Sequence, residues 1–426
     1  MPETFLDQID VSRLAAQVGT PFYVYSAEVL RRRIADVRDA LAHPQLQPRF
    51  AMKACSTRRI LEEIRQHDVW IDSVSGNEVV RALRAGFAHG AQPPVVLLSA
   101  DVLRDNAISV VLEHGVLPNV GSPAMISELE AAGYKGPIAI RLNPGFGHGH
   151  VRECDTGGPS SKHGIWHEEA IGARNAAEVA GLPVVLLHAH IGSGPQIDEF
   201  IANMGKLSAF FADLVPEFPD LEAVNFGGGI PHPYRPDQPH IDLAPVGQTL
   251  RDAQRLLSRK AGREIRVEVE PGRYFVAPSG ALVTRVHDIK HTHANDKGPG
   301  NTFVMVDAGF TDLVRPAMYG SYHHITVHGR SGGDLTPVVV AGPLCESGDV
   351  FTRDSRDFLD PRPLPLPKRG DFLVLHDAGA YGFTMSSHYN SLGHPPQLWL
   401  ENGEARLISR RETVDQIIDI ECDERL

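Results

Sequence analysis

Phe50-Ala51-Met52-Lys53-Ala54-Cys55 is the stretch on which the reading of the whole chain turns. Arg49 to Met52 read as a short apolar strand that ends by presenting Lys53, and a helical run, Arg58 to Gln66, follows at once. Burying an ammonium without a partner is costly, so a lysine at such a strand end is unusual. Desolvation lowers an amine's pKa, which is what attack on a carbonyl to form a Schiff base requires. The ordinary alternative is a lysine whose stem packs while its head reaches water.

Outward from this stretch the same unit recurs. Strands are expected at Arg49–Lys53, Trp70–Val74, Val95–Ser99, Leu117–Val120, Ile138–Leu142, Val184–His190, Ala223–Phe226 and Ile265–Glu270. Amphipathic runs separate them, such as Asn77–Ala85, Arg104–Glu113, Pro123–Ala132, His167–Ala180, Asp198–Val215 and Val246–Lys260. This succession points to a (β/α)8 barrel of the TIM type, with a doubly wound open sheet as the alternative. Before it, Pro21 to Tyr25 read as a strand and Ala27 to Leu41 as a helix. After Gly272 the texture changes to short strands between Gly- and Pro-rich turns: Ala281–Val286, Thr302–Asp307, Pro337–Ala341, Phe372–His376, Leu398–Glu401 and Glu404–Arg410. This is an all-β domain, with a helix at Val414–Ile418 and an extended loop at Pro361 to Pro367. The expected divisions are 1–48, an N-terminal segment partly joining the C-terminal β domain, 49–273, the barrel, and 274–426, a β-sandwich or β-barrel.

With 426 residues, 42% hydrophobic and 22% charged, the chain can build two globular domains. A net charge of −12 argues against nucleic acid or an anionic membrane as partner, so an anionic ligand needs local donors. The four cysteines, Cys55, Cys154, Cys345 and Cys422, lack metal-ligand spacing, and no metal site is expected. The start of the chain has no apolar signal segment and no run is long enough to span a bilayer, which makes the cytoplasm the expected location.

In a barrel of this type the C-terminal strand ends carry the chemistry. Here they are Lys53, Asp72 with Ser73 and Ser75, Ser99, Asn119, Arg141, His190, the run Gly227-Gly228-Gly229, and Glu270. In His190-Ile191-Gly192-Ser193-Gly194 the glycines and Ser193 precede a helix, a setting for phosphate. His190 offers a flat ring for stacking. The triple glycine lets backbone approach a ligand, or simply makes a tight turn. Glu270, in Glu270-Pro271-Gly272-Arg273, needs a cationic or hydrogen-bonding partner, and a protonated pyridine nitrogen would serve. The Gly272 and Arg273 amides could meet a phosphate. An amine, a ring, two glycine loops and a carboxylate together match pyridoxal 5'-phosphate.

With these motifs the chain resembles the fold-type III pyridoxal-phosphate decarboxylases from about Pro21 to Ile418. Asp-Ser-Val-Ser at 72–75, Cys-Glu-Ser-Gly-Asp at 345–349 and Asp-Ala-Gly-Ala-Tyr-Gly at 377–382 complete the set. The resemblance implies an alanine-racemase-like second domain and roles residue by residue. Lys53 would carry the cofactor, His190 stack on its ring and Glu270 bond its pyridine nitrogen. Asp72 would belong to the same pocket. Ser193, Gly229, Gly272 and Tyr381 would hold its phosphate, and Gly228 and Arg273 would also bind the cofactor. Family members are homodimers with shared sites, so Cys345 would donate a proton across the interface, with Glu346 beside it on the substrate. Arg273, Arg315, Tyr319 and Tyr381 would hold the substrate. The implied reaction is decarboxylation of meso-2,6-diaminopimelate to L-lysine, with D-ornithine or D-lysine as the alternative substrate. A non-catalytic carrier of the cofactor would lack the second domain, and a lysine-only aldolase would not need Glu270. The Gly-rich insertion from Gly145 to Gly164 reads as a lid, and His163 stands where many relatives have phenylalanine.

Overall fold

The computed structural model describes residues 5–7, 9–90, 93–147, 156–192, 196–296, 298–330 and 332–424. Its strands, in chain order, are β1 (Phe22–Ser26), β2 (Leu46–Ala51), β3 (Trp70–Ser73), β4 (Val96–Ala100), β5 (Leu117–Val120), β6 (Ile138–Asn143), β7 (Ile165–Trp166), β8 (Val184–His188) and β9 (Ala223–Asn225). They continue with β10 (Arg266–Val269), β11 (Gly280–His291), β12 (Thr302–Val306), β13 (Ile325–Val327), β14 (Leu335–Ala341), β15 (Arg362–Pro365), β16 (Phe372–Leu375), β17 (Gln397–Glu401) and β18 (Glu404–Ser409). No helix among the described residues is long and apolar enough to cross a membrane.

The chain divides into two compact units, one of Arg32–His232 with His240–Tyr274, the other of Met1–Arg31, Pro233–Pro239 and Phe275–Leu426. The first is a closed parallel barrel. Its order β5-β4-β3-β2-β10-β9-β8-β6 returns to β5 through a β5–β6 pairing, and β7 lies against the end of β6. The open-sheet alternative is thereby set aside. Strands buried on both faces need near-continuous apolar sequence, and β4, β5 and β6 are buried at every position.

Side chains alternate faces along a strand, and this sorts the interior into two levels. The deeper level holds Leu97, Leu117, Ala139, Leu186 and Ala223, which form one apolar cluster. Arg49, Trp70 and Glu268 complete it: Arg49 and Glu268 are each 0% exposed, and Arg49 Nε donates to Glu268 Oε2 at 2.6 Å. Trp70 lies under Arg49 and Arg266, at 4.8 and 5.0 Å from its ring centre. Two residues further along each strand stand Ala51, Asp72, Ser99, Asn119, Arg141, His188, Asn225 and Glu270. The polar ends expected from the sequence are the second level of this stack.

The other unit is a mixed sheet in the order β15-β14-β12-β11-β1-β17-β18, with β16 pairing β11 and β13. β1 pairs antiparallel with β11 and parallel with β17. Its Phe22 and Val24 join Leu6, Val11, Leu14, Val283, Val374 and Leu398 in a buried cluster with the helix Val11–Val18. Several elements differ from expectation, β15 and β13 among them. The extended loop at Pro361 to Pro367 contains β15, paired antiparallel with β14. Its prolines fix an extended φ, and an edge strand needs ladder N–H groups only at alternate residues, which Arg362 and Leu364 keep. The three-residue β13 was not anticipated, being too short for a periodic signal.

Candidate active site

Lys53 does not end a strand. β2 stops at Ala51, and Met52–Ala54 form a 3-10 turn. Within the turn Met52 and Ala54 are buried at 0% and 1%, while Lys53 is exposed. The expected burial of the amine is therefore not found, because a tight turn sends its middle side chain away from the two that pack. Lys53 nevertheless acts on the polar ring, two residues beyond its member Ala51. Its positive charge acts on Asp72, His190 and Glu270.

The ring is wired by hydrogen bonds. The Ser99 hydroxyl bonds Asp72. Asn119 Nδ2 donates one hydrogen to Ser99 Oγ at 2.9 Å and the other to His188 Nδ1 at 2.8 Å. With Nδ1 accepting, His188 carries its hydrogen on Nε2, which lies 3.5 Å from Glu270 Oε2. Asn225 Nδ2 donates to Glu270 Oε1 at 2.8 Å, and Asn225 Oδ1 accepts the Gly227 N–H at 2.8 Å.

Two buried carboxylates share this ring, and their surroundings set them apart. Burial, reinforced by the charge of Glu270, pushes Asp72 up to about 8, against the opposing effects of Lys53 and Ser99. Burial also works to raise Glu270, but His188, Lys53 and His190 outweigh it and hold its carboxyl well below the usual range. Glu270 is thus the ionised member. His190 is kept neutral first by burial, then by the charges of Lys53 and Arg141. Between an ordinary 3.8 and about 8 the folded chain holds a proton on Asp72 that the unfolded chain releases, so stability falls as pH rises through that window. Asp72→Asn should therefore gain stability relative to the parent between about pH 5 and 8. Urea midpoints across that range measure it, and a pH-independent difference would refute the assignment.

The glycine run is required by the chain itself. Gly227 has φ +67°, and a Cβ there would lie 2.7 Å from His190 Cβ. A Cβ on Gly228 would meet the Glu270 carbonyl oxygen at 2.6 Å. Glycine lets His190 and the ring residue Glu270 both approach this turn after β9. Gly272 similarly lies against the lysine turn, where a Cβ would come 3.2 Å from the Cβ atoms of Ala51 and Ala54. Arg273 begins the short helix Arg273–Val276 directly after that loop.

The rim is anchored beside the ring. Asp101 lies 2.6 Å from His163 Nδ1, 3.3 Å from Lys162 Nζ and 3.9 Å from Arg141. Asn143 ties the Gly145 N–H at 3.1 Å to the Gly158 N–H at 2.8 Å. Thr156 Oγ1 donates to the His190 carbonyl at 2.9 Å. Ser193 and Cys154, like the middle of the Gly145–Gly164 insertion, lie outside the described residues.

The remaining expected residues belong to the second unit. Cys345 is exposed, and its N–H donates to Asn390 Oδ1 at 3.3 Å. Asp349 shapes that loop by accepting from the Leu344 and Phe310 amides at 2.8 and 2.7 Å. Glu346 Oε1 accepts the Gly348 N–H at 3.2 Å. Arg315, 3% exposed, opens the helix Arg315–Tyr319 and reaches Tyr234 Oη at 3.2 Å and His323 Nε2 at 3.4 Å. His323 Nδ1 in turn donates to the His376 carbonyl at 2.9 Å, next to the segment carrying Tyr381, whose φ is +56°. A non-glycine residue in that region is uncommon and marks a position the surroundings enforce.

His188 and Asn225 were not singled out from sequence. β8 ends at His188, not His190, and alternation along the strand was the signal: each sits two residues beyond an apolar lumen residue, Leu186 or Ala223.

The barrel residues fit pyridoxal phosphate. Glu270 is an ionised carboxylate suited to a protonated ring nitrogen, and Lys53 is an exposed amine beside it. Asp72 Oδ1 and His190 Nδ1 are buried without a hydrogen-bond partner among the described residues. Comparison with known proteins agrees. Residues 27–277 match the family described as pyridoxal-dependent decarboxylase, pyridoxal binding domain. Diaminopimelate decarboxylase of Escherichia coli (strain K12) is 40% identical over 427 residues, covering 98% of each chain. A crystal structure of a diaminopimelate decarboxylase superposes with a TM-score of 0.88 at 41% identity, covering 96% of this chain and 95% of that one. The Helicobacter pylori enzyme complexed with L-lysine gives 0.84 at 29% identity, covering 96% and 99%. The chain belongs to the pyridoxal-dependent decarboxylases, and within them to the diaminopimelate decarboxylases.

Proposed function

We propose that this chain removes the carboxylate from the D-configured centre of meso-2,6-diaminopimelate, giving L-lysine and CO2, in a homodimer whose sites are shared. The observation that carries the reading is an ionised, buried Glu270 on which the neutral His190 and the amine of Lys53 both act. The name of the E. coli relative and the L-lysine complex of the H. pylori enzyme support the choice of substrate.

When bound, pyridoxal phosphate supplies a protonated pyridine ring that accepts the electron pair left behind as CO2 departs. Glu270 holds the proton on that ring nitrogen, and Asn225 and His188 keep the carboxylate oriented. His190, being neutral, would stack on the ring without opposing a positive nitrogen. Ser193, Gly229, Gly272 and Tyr381 would hold the phosphate, with Gly228 and Arg273 also binding the cofactor. Lys53 would hold the cofactor through its amine and would be the group that the substrate amine replaces and that frees the product. The partner's Cys345 protonates the α-carbon, with the partner's Glu346 beside the substrate. Arg273, Arg315 and Tyr319 take the distal carboxylate, each charge-assisted bond contributing about 1.5–3 kcal/mol.

Release of CO2 from meso-diaminopimelate, set against D-lysine, D-ornithine and L-lysine, tests the substrate. Equal or faster release from D-lysine or D-ornithine would overturn it. Cys345→Ala is expected to keep the bound cofactor's absorption and to lower kcat on the order of 10²–10⁴-fold, the range of a lost general acid. Near-normal turnover in that variant removes Cys345 from the reaction.

A further inference from the structure

Three side chains of the β unit converge at a place the decarboxylation does not use. His388, His394 and Glu412 set one ligand atom each within 4.8 Å of the others. Glu412 Oε2 lies 2.6 Å from His388 Nε2 and accepts the His394 N–H at 3.1 Å. The Glu412 N–H returns a bond to the His394 carbonyl at 3.1 Å, so the two backbone segments are already fastened together. The two imidazole rings lie 4.4 Å apart.

Ser386 decides what this cluster can bind. Its hydroxyl hydrogen goes to the Phe383 carbonyl at 2.6 Å. Its oxygen lies 2.9 Å from His394 Nδ1 and, with its hydrogen committed, can only accept there. Nδ1 therefore carries the ring hydrogen and Nε2 is a bare lone pair. That lone pair faces Glu412 Oε2 at 3.9 Å. Two acceptors confront each other with no hydrogen between them, an arrangement that a cation turns from repulsive to attractive. Metal–ligand bonds of about 2.0–2.1 Å around a tetrahedral ion set neighbouring ligand atoms about 3.3 Å apart. The observed separations from Glu412, 2.6 and 3.9 Å, bracket that value, so small side-chain rotations suffice. An imidazole whose second nitrogen is held by a hydrogen bond is also how metal-bound histidines are oriented.

We propose that His388, His394 and Glu412 bind a divalent transition-metal ion of the zinc class, with Ser386 orienting His394 and one position left to water. The ion ties residues 386–394 to Glu412, three residues beyond the end of β18. Asn390, which accepts the Cys345 N–H, and Tyr389, whose ring lies 5.4 Å from that of Phe310, sit inside the tethered segment. The site is a clamp behind the cysteine loop and is independent of the substrate assigned above.

The test uses chelator-treated holoenzyme titrated with Zn²⁺ by calorimetry, and with Co²⁺ for its visible spectrum. The parent should bind one ion per chain that His394→Ala and Glu412→Gln bind more than about 100-fold more weakly. Ser386→Ala keeps all three ligands and should weaken binding about 10–100-fold, the range for a lost orienting group. If Glu412→Gln does not fold, His388→Asn supplies the ligand loss. Equal affinity in parent and ligand variants, or no stoichiometric binding by the parent, overturns the site. Unchanged affinity in Ser386→Ala overturns the orienting role.

Discussion

Lys53→Ala protein is expected to purify without the visible absorption of bound pyridoxal phosphate and to turn over on the order of 10³-fold or more slowly than the parent. On the proposed assignment two functions vanish together in this variant, the covalent hold on the cofactor and the amine that frees the product. The fold should survive, since the side chain is exposed while Met52 and Ala54 carry the packing of the turn. Lys53→Arg separates charge from nucleophilicity. It retains the cation that acts on Asp72 and Glu270 but cannot form the bond, so it should lose turnover as completely as the alanine variant. Borohydride treatment of the parent should fix the cofactor irreversibly to Lys53. A parent that shows no visible band, and that borohydride leaves unchanged, would remove the cofactor from this lysine.

The second large effect concerns stability. Glu268→Gln should cost about 3–5 kcal/mol, because it leaves the Arg49 guanidinium buried with its charge uncompensated. Arg49 is 0% exposed and donates to both Glu268 oxygens, at 2.6 and 3.1 Å, and to the Pro94 and Val95 carbonyls at 2.9 and 3.0 Å. Replacing both partners by apolar residues of similar volume should cost far less than the single change, since the desolvation of two charges is then avoided. Denaturant midpoints of the single and double variants decide the matter. A single variant as stable as the parent would show that the pair is dispensable to the deep level of the barrel.

Most of the barrel is legible in the sequence because buried parallel strands leave near-continuous apolar runs, and every such run but the last is followed by an amphipathic stretch. Strand ends are less so. Arg49 to Met52 reads as a continuing strand, yet the chain leaves it after Ala51 in a 3-10 turn that sets Lys53 where its charge acts on Asp72 and Glu270, which local pattern does not record. His188 and Asn225 escaped notice for a different reason. Their partners, Asn119 and Glu270, are distant in sequence, and only closure of the barrel brings them together. In the β unit, β15 hid behind its prolines, which signal an extended chain but not its ladder partner. The loop of Cys345 owes its shape to Asp349 and Asn390, contacts that carry no periodicity.

The two-level lumen also limits how this barrel can change length. Deleting or inserting one residue inside a strand would exchange its inward and outward sets, turning Asn119 or Glu270 toward the surrounding helices and sending a methyl group into the mouth. Whole extra segments are harmless only when they enter after a strand tip, as the stretch following Asn143 does. Variation among such chains is therefore channelled into the connections, leaving the register of all eight staves untouched.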